Sequence, residues 1–308
     1  MTMMTAPGPL GLLGGILAGG GEATRHVVII IPGSGPTDCD GNNPLGVNSN
    51  TYKLLAEGLS STDIAVIRID KRGMFTSAGA VTNANHVVMD DYVQDMQQWV
   101  ATARQRYPVA KVWLLGHSEG GLVALCTAIK SPEAIAGIIL ASTPGRPLGE
   151  ILCTQLAMAG YSQALRQTAQ AIIDGLSAGE SVAASAIPEP LLPLFYPEVQ
   201  GFLRSLLALD PVALIRQLAL PILILQGSRD LQVGVEDAQR LHRAYPSSRL
   251  CMLASANHVL KFVPSDDRQE NIAAYRSPDL PLVPGVVTAI RTFILGVSDS
   301  PSNLSALR

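Results

Sequence analysis

The stretch from Val112 to Ile129 reads VWLLGHSEGGLVALCTAI and holds the pattern Gly-x-Ser-x-Gly, with Ser118 at its centre. Four apolar residues before the pattern are typical of a buried strand, and apolar residues at helical spacing follow it. This is the strand–turn–helix context that a nucleophilic serine of this kind requires. The glycines keep side chains out of the tight turn, and the hydroxyl stands clear of the sheet at a helix N-terminus. Ser118 is therefore the candidate nucleophile; the alternative is a turn of small residues without a catalytic role.

Short apolar segments alternate with helical patterns along the rest of the chain. Strands are predicted at 26–31, 65–69, 112–115, 137–140, 221–225 and 249–253, and helical spacing covers 89–103 and 286–294. Nearly continuous apolar runs are typical of strands buried on both faces, as in parallel sheets. The sequence therefore predicts an α/β fold, with a mostly parallel sheet covered by helices on both faces. The N-terminal segment PLGLLGGILAGGG is broken by glycines and predicts an opening β-hairpin.

The alternation is interrupted once, between residues 143 and 218, where helical stripes flank the proline-rich segment IPEPLLPLFYP and no strand is predicted. Because strands resume afterwards, we interpret this segment as an insertion into one sheet domain. The expected division is a first core part at 1–142, a helical cap insertion at 143–218, a second core part at 219–299 and a C-terminal tail at 300–308. The apolar stripe through Phe202, Leu203 and Leu206 is expected to wall an apolar acyl pocket.

Charge and cysteine content narrow the class of protein. The net charge of −3 leaves no basic stripe, so a nucleic-acid partner is not expected. No apolar run reaches the roughly 18 residues of a membrane span, so stable membrane insertion is not expected either. The four cysteines are far apart and form no Cys-x-x-Cys pair, which fits neither a zinc site nor a disulfide scaffold. A cytoplasmic protein with reduced thiols is the simplest interpretation.

A nucleophilic serine needs a base, and the base needs an acid to orient it. Among the five histidines, His258 lies in the loop ASANHVLK after the strand RLCML, where α/β sheets place their sites. Asp230, in QGSRDLQV, likewise follows the strand PILIL, whereas the competing Asp237 lies within a predicted helix. The chain order Ser118, Asp230, His258 is the order of the α/β-hydrolase triad.

The tetrahedral intermediate of acyl transfer also needs N–H donors for its oxyanion. The backbone N–H of Glu119, directly after the nucleophile, is one candidate. The second is expected from the loop IPGSGPTDCDGN after the first core strand, with Ser34 as the donor, because Gly33 and Gly35 let this backbone approach the substrate. An ordinary glycine-rich turn is the alternative for this loop.

Four charged residues accompany these loops: Asp38, Asp40, Lys71 and Arg72. Opposite charges in neighbouring loops predict ion pairs that fix the two loops near the site. Solvated loop charges are an equally good interpretation.

With these residues identified, the chain resembles the bacterial α/β-hydrolases of the esterase and serine-aminopeptidase-like branch. The resemblance covers residues 10–295 and rests on GSGPTDCDGN, RIDKRG, GHSEGG, LQGSRDLQV and NHVLK. It implies carboxylic ester hydrolysis, no cofactor or metal, and a helical cap over the site. The chain departs from the family pattern at Cys39, where relatives usually carry arginine, and at Pro32, where they often carry histidine.

The function expected from the sequence is hydrolysis of small-molecule carboxylic esters of short to medium acyl chain, through an acyl-enzyme intermediate. An acyltransferase or a peptidase with the same triad is an alternative, and so is a non-catalytic ligand-binding member of the fold. Epoxide hydrolases and dehalogenases need a carboxylate nucleophile where this chain has Ser118. The sequence does not predict the oligomeric state.

Overall fold

The computed structural model describes residues 1–298, and its ten strands form one large sheet and one small hairpin. The strands are β1 Thr2–Pro7, β2 Leu12–Gly19, β3 His26–Ile31, β4 Asn42–Asn43, β5 Val47–Asn48, β6 Ile64–Ile69, β7 Lys111–His117, β8 Gly137–Ala141, β9 Ile222–Gly227 and β10 Arg249–Leu253. The large sheet has the strand order β1-β2-β6-β3-β7-β8-β9-β10, and β4 pairs with β5 separately.

Residues 1–298 form eleven α-helices, nine in the connections between strands and two after the last strand. They are α1 Thr51–Leu59, α2 Met89–Arg106, α3 Glu119–Lys130, α4 Leu148–Met158, α5 Gln163–Ser177, α6 Leu192–Phe195, α7 Gln200–Leu207, α8 Pro211–Ile215, α9 Val235–Ala244, α10 Arg268–Ala274 and α11 Val286–Ser298. None of the helices in this part of the chain is long and apolar enough to cross a membrane.

The predicted α/β fold is confirmed. The strands from β6 and β3 through β10 pair in parallel, whereas β1 and β2 form an antiparallel hairpin at one edge. The opening hairpin is therefore confirmed too, but its first strand begins at Thr2, upstream of the glycine-rich segment. All six strands expected from the sequence are present, within two residues of their predicted ends.

Each face of the sheet carries its own apolar layer, and this explains the continuous apolar runs. In β3, Val27, Ile29 and Ile31 face the layer that includes α2 and α3, while Val28 and Ile30 face the layer that includes α1 and α11. Successive side chains of a strand point to opposite faces, so a strand covered on both faces needs apolar residues at every position. Because these strands pair in parallel, the carboxyl ends of β3, β7, β9 and β10 meet at one edge of the sheet.

Between β8 and β9 the chain forms helices α4 to α8 and no strand. This segment has a small apolar cluster of its own, which includes Leu156, Ile173 and Phe195. The prediction that the apolar stripe of α7 walls an acyl pocket is wrong. The Phe202 ring packs edge-on against Tyr92 of α2, with 5.7 Å between the ring centroids, and Leu206 joins the main core. Leu203 packs against the apolar cluster of the inserted segment, so the stripe covers the sheet domain and that cluster, and none of its three residues lines the cavity that contains Ser118. The predicted tail, 300–308, lies outside the described residues.

Candidate active site

Ser118 occupies a strained turn between β7 and α3. Its backbone has φ 54° and ψ −122°, a conformation that a non-glycine residue adopts only at a cost of about 1–3 kcal/mol. The turn is too tight for other residues at its glycines: a Cβ at Gly116 would lie 2.2 Å from the Gly120 carbonyl oxygen, and one at Gly120 would lie 2.3 Å from the Ile31 carbonyl oxygen. The surroundings thus hold the serine at the carboxyl edge of the sheet.

Asp230 and His258 lie beyond the ends of the adjacent strands β9 and β10. His258 Nδ1 is 2.8 Å from Asp230 Oδ2, and the N–H groups of Gln232 and Val233 donate to Asp230 Oδ1 at 2.8 and 2.9 Å. Burial raises the pKa of Asp230, but His258 and these N–H donors outweigh burial, so its pKa lies below the ordinary value. The carboxylate is therefore held ionised against the imidazole, which fixes the ring orientation.

One cavity of about 180 Å³ brings the predicted residues together. Its lining includes Ser118, His258 and Ser34, while Asp230 lies behind His258. Within residues 1–298 the Ser118 hydroxyl makes no direct hydrogen bond. Catalytic hydrogen bonds in ligand-free enzymes often tighten only when substrate binds. We call this space the inner cavity.

His117, which directly precedes Ser118 in the turn, connects three segments of the site. Its Nε2 donates to the carbonyl oxygen of His258 at 2.8 Å, and its Nδ1 accepts from the Tyr52 hydroxyl at 2.9 Å. Tyr52 in turn accepts the N–H of Gly33 at 3.0 Å. Burial, together with the nearby His258, lowers the pKa of His117 to about 4, so the imidazole is neutral at neutral pH. A neutral ring is what this donor–acceptor pattern requires.

The loop after β3 lines the same cavity as Ser118 and includes the predicted oxyanion donor, Ser34. The N–H of Gly33 is taken by Tyr52, and the Gly33 carbonyl accepts from the Lys71 ammonium at 2.7 Å. Among the described residues, the N–H groups of Ser34 and Glu119 have no hydrogen-bond partner. Glu119 is the first residue of α3, where helix N–H groups are unpaired by geometry. These two N–H groups remain the candidate oxyanion donors.

The ion pairs near the site differ from those considered from the sequence. Asp40 pairs with Arg68 of β6, which also donates to the carbonyl oxygen of Cys39 at 3.3 Å. Lys71 lies 3.5 Å from the Glu119 carboxylate. Arg72 turns away from the oxyanion loop and pairs with Asp95 and Asp91 of α2, at 2.7 and 2.8 Å. These pairs are largely buried, so they are structural contacts and not solvated loop charges.

Two further polar residues are placed away from the inner cavity. Asp237 is fully buried at the start of α9, where Oδ2 is 2.9 Å from Arg146 Nη2 and Oδ1 accepts the Gly145 N–H at 3.0 Å. Cys39 is buried, and burial raises the pKa of its thiol to about 12. Neither residue contacts Ser118 or His258. Among residues 1–298, no cluster of three or more His, Cys, Asp or Glu side chains is arranged to hold a metal ion.

A second, larger space adjoins the inner cavity. It has a volume of about 400 Å³, and Val47, Gln232 and Tyr275 line both spaces. The Gln232 amide donates to the Tyr275 hydroxyl at 3.2 Å, which makes a polar partition between them. Helix α4 contributes Met158 to the far wall. We call this space the outer cavity.

Tyr52 and His117 were not predicted as partners of the site, whereas Lys71 was expected only as a member of an ion pair between the two loops. Tyr52 lies in the first turn of α1, and nothing in its local pattern distinguishes it from a core residue. Lys71 carried a weak signal, because a lysine directly after a buried strand is rarely left buried without a partner. His117 directly precedes Ser118, and no local pattern there indicates its contacts with Tyr52 and His258.

The sequence of this chain is similar to those of several known proteins. A family model described as serine aminopeptidase, S33, matches residues 44–262. The esterase EstD of Thermotoga maritima is 31% identical over 229 residues, which is 74% of this chain and 52% of that protein. The chain thus matches about half the length of EstD. The monoglyceride lipase of Rattus norvegicus is 30% identical over 225 residues, covering 70% of this chain and 73% of the lipase.

Solved structures share the fold at lower identity. Est1E from Butyrivibrio proteoclasticus, in a complex with ferulic acid, aligns with a TM-score of 0.62 at 16% identity, covering 96% of this chain and 100% of that one. A thermophilic esterase from Thermogutta terrifontis aligns with a TM-score of 0.57 at 20% identity, covering 96% and 99% of the two chains. These likenesses show the α/β-hydrolase fold.

Proposed function

The chain belongs to the serine aminopeptidase S33 family of α/β-hydrolases, and we propose that it is a serine hydrolase that cleaves carboxylic esters. One observation carries the proposal: a strained serine and a buried histidine line one cavity at the carboxyl edge of the sheet, and a buried aspartate lies 2.8 Å behind the histidine. The two relatives above are named as an esterase and a lipase, which act on esters, and this supports the same reaction class here.

In the proposed mechanism, His258 takes the proton of the Ser118 hydroxyl as its oxygen attacks the ester carbonyl. Asp230 orients the imidazole through Nδ1 and stabilises the imidazolium that forms. His258 then protonates the leaving alcohol, and the acyl group stays on Ser118. Water, deprotonated by the same histidine, releases the acid and restores the serine.

The oxyanion of each tetrahedral intermediate is held by the backbone N–H groups of Ser34 and Glu119. Both donors are fixed before substrate arrives, one by the loop after β3 and the other by the first turn of α3. Preorganised donors of this kind contribute more in a site that excludes water, because no dipoles need to reorient during reaction.

The remaining assignments are parts of the same proposal. The segment 143–218 acts as a cap, because Met158 of α4 borders the outer cavity. The partner is a small-molecule ester, the reaction needs no cofactor, and residence in the cytoplasm is consistent with four free cysteines. Acyl transfer and peptide cleavage would use the same residues and differ only in the acceptor or the leaving group.

The test combines a fluorophosphonate probe with p-nitrophenyl esters of short acids. The wild-type protein should be labelled and should hydrolyse the esters, and Ser118→Ala should lose both while keeping its fold. Ser142→Ala is a matched control, because Ser142 also follows a parallel strand with positive φ, at 48°, but does not line the inner cavity. Folded wild-type protein that neither reacts with the probe nor hydrolyses any ester would overturn the proposal in favour of a binding module. Faster turnover of aminoacyl p-nitroanilides than of esters would indicate a peptidase.

A further inference from the structure

The outer cavity combines apolar walls with two cationic side chains. Leu45, Met158 and Ile272 line it and remain 81%, 56% and 43% exposed, which is unusual for large apolar residues unless they meet a ligand or partner. Arg268, the first residue of α10, and Arg276, two residues after the end of this helix, line the same space. Among the described residues that line it, none is acidic.

Neither arginine forms an ion pair within residues 1–298. Arg276 Nε donates to the Gly46 carbonyl oxygen at 3.3 Å, which fixes the side chain over the loop between β4 and β5 and leaves both terminal nitrogens without partners in that part of the chain. The positive charge of Arg268 acts on the Tyr275 phenol, whose pKa is raised by burial and partly lowered by this charge. Tyr275 lines both cavities, so the charge of Arg268 lies near the passage between them.

The outer cavity holds two guanidinium groups that have no counter-ion within residues 1–298, and it adjoins the inner cavity, which Ser118 lines. Such a site suits a ligand that is apolar along its length and anionic at its end. Guanidinium groups bind carboxylate and phosphate oxygens through paired N–H donors. We propose that Arg268 and Arg276 form an anion subsite, and that the preferred esters carry a carboxylate or phosphate group remote from the scissile bond. The inference rests on the proposed ester hydrolysis and names the substrate class of that site.

Hydrolysis of matched ester pairs tests the subsite. The first arm compares methyl hemiesters of dicarboxylic acids of about four to ten carbons with methyl alkanoates of equal length, and the rate of acid release is measured by pH-stat. The second arm compares acetyl esters of ω-hydroxy acids with acetyl esters of alkanols. The first arm places the charge on the acyl side and the second on the alcohol side. We expect kcat/KM to favour the charged member in one arm by about fivefold at low salt, as for an exposed ion pair. The preference should shrink as salt screens the guanidinium groups.

The double variant Arg268→Gln/Arg276→Gln should lower the ratio of charged to neutral turnover to about one and remove its salt dependence. Arg243→Gln is the matched control, because Arg243 is exposed on α9 and lines neither cavity; it should keep the wild-type ratio. A ratio near one in both arms for the wild-type protein, or a preference that the double variant retains, would overturn the subsite.

Binding to a protein without the nucleophile separates this inference from the proposed function. Calorimetry with Ser118→Ala and monomethyl suberate should show salt-weakened binding that the two arginine substitutions abolish. Such binding without any hydrolysis by the wild-type protein would refute the esterase and leave the subsite standing. Hydrolysis of neutral esters without such binding, and without a preference for the charged ester in either arm, would refute the subsite alone. Binding of anionic vesicles that depends on both arginines, without any preference for charged esters, would assign them to a lipid surface instead.

Discussion

The Lys71 ammonium donates a hydrogen bond of 2.7 Å to the carbonyl oxygen of Gly33. The peptide between Gly33 and Ser34 is trans, so its C=O and N–H point in opposite directions. Anchoring the carbonyl therefore aims the Ser34 N–H the other way. Lys71 also lies 3.5 Å from the carboxylate of Glu119, whose own N–H is the other candidate oxyanion donor. One buried cation thus links the segments that carry both donors.

Lys71→Met should lower kcat by about tenfold or more with little change in KM, because a misaimed oxyanion donor weakens transition-state binding selectively. Burial lowers the pKa of Lys71 and Glu119 offsets this, so removing the lysine also leaves a buried carboxylate unpaired. Steady-state kinetics on p-nitrophenyl acetate provide the measurement. Lys111→Met, at an exposed lysine at the start of β7, is the control.

The double variant Lys71→Met/Glu119→Gln separates positioning from stability. Its thermal stability should recover relative to Lys71→Met, since no buried charge is left unpaired, while kcat should stay low because the Gly33 carbonyl has lost its donor. Recovery of kcat together with stability would mean that Lys71 acts only by compensating the charge of Glu119.

Asp230→Asn should lower kcat by about 10³- to 10⁴-fold, because asparagine cannot stabilise the imidazolium and favours the wrong tautomer. Asp237→Asn should instead lower the free energy of unfolding by about 2 kcal/mol, since it weakens a buried pair with Arg146, and the folded enzyme should keep its activity. Kinetics and urea denaturation of both variants measure the contrast. The opposite ranking of the two kcat values would transfer the acid role to Asp237.

The sequence was sufficient for the fold and for Ser118, Asp230 and His258 as candidates because each depends on a local pattern. An apolar run predicts a strand buried on both faces, and a residue just after such a strand lies at the carboxyl edge whatever the rest of the chain does. The six strands and the three residues were placed in this way, without knowledge of any long-range contact.

The contacts behind these residues could not be predicted, because they join segments that are distant in the chain. Tyr52 and His117 are 65 positions apart, and Lys71 meets Gly33 across 38. An apolar stripe likewise does not identify its packing partner. The pattern of α7 indicates that Phe202 is buried against something, but not that this is Tyr92 of α2. Composition and spacing carry no information on which partner is chosen.

His117→Gln should reduce the loss of stability on mild acidification. Burial lowers the pKa of His117 from 6.5 to about 4, so between these values the unfolded chain binds a proton that the folded chain does not. Stability from this residue is therefore present above pH 6.5 and is lost as pH falls towards 4, by roughly 2 to 3 kcal/mol. Urea denaturation at pH 7 and pH 4.5 should show a smaller pH difference for the variant. Equal differences for the two proteins would mean that His117 is protonated in the folded state.

The size of the inner cavity should limit the acyl chain. Its volume is about 180 Å³, and most of the residues that line it are polar, with Val47 and Val259 as its aliphatic side chains among the described residues. Each methylene contributes about 0.8 kcal/mol only while it is removed from water. A longer neutral chain must pass Val47 into the outer cavity, where much of it stays hydrated. We therefore expect kcat/KM on p-nitrophenyl esters to peak at about two to six carbons and then fall.

Val47 tests this argument directly because it lines both cavities. Val47→Ala should widen the passage and raise the ratio of eight-carbon to two-carbon turnover by about threefold or more, as expected for one or two further buried methylenes. Val109→Ala, at a valine that is 83% exposed on the surface, should leave the ratio as in the wild-type protein. The contrary outcome is a wild-type profile that still rises at about twelve carbons, with a jump in rate at a lipid–water interface. It would show that the segment 143–218 opens as a mobile lid, because burying so long a chain would require displacement of that cap.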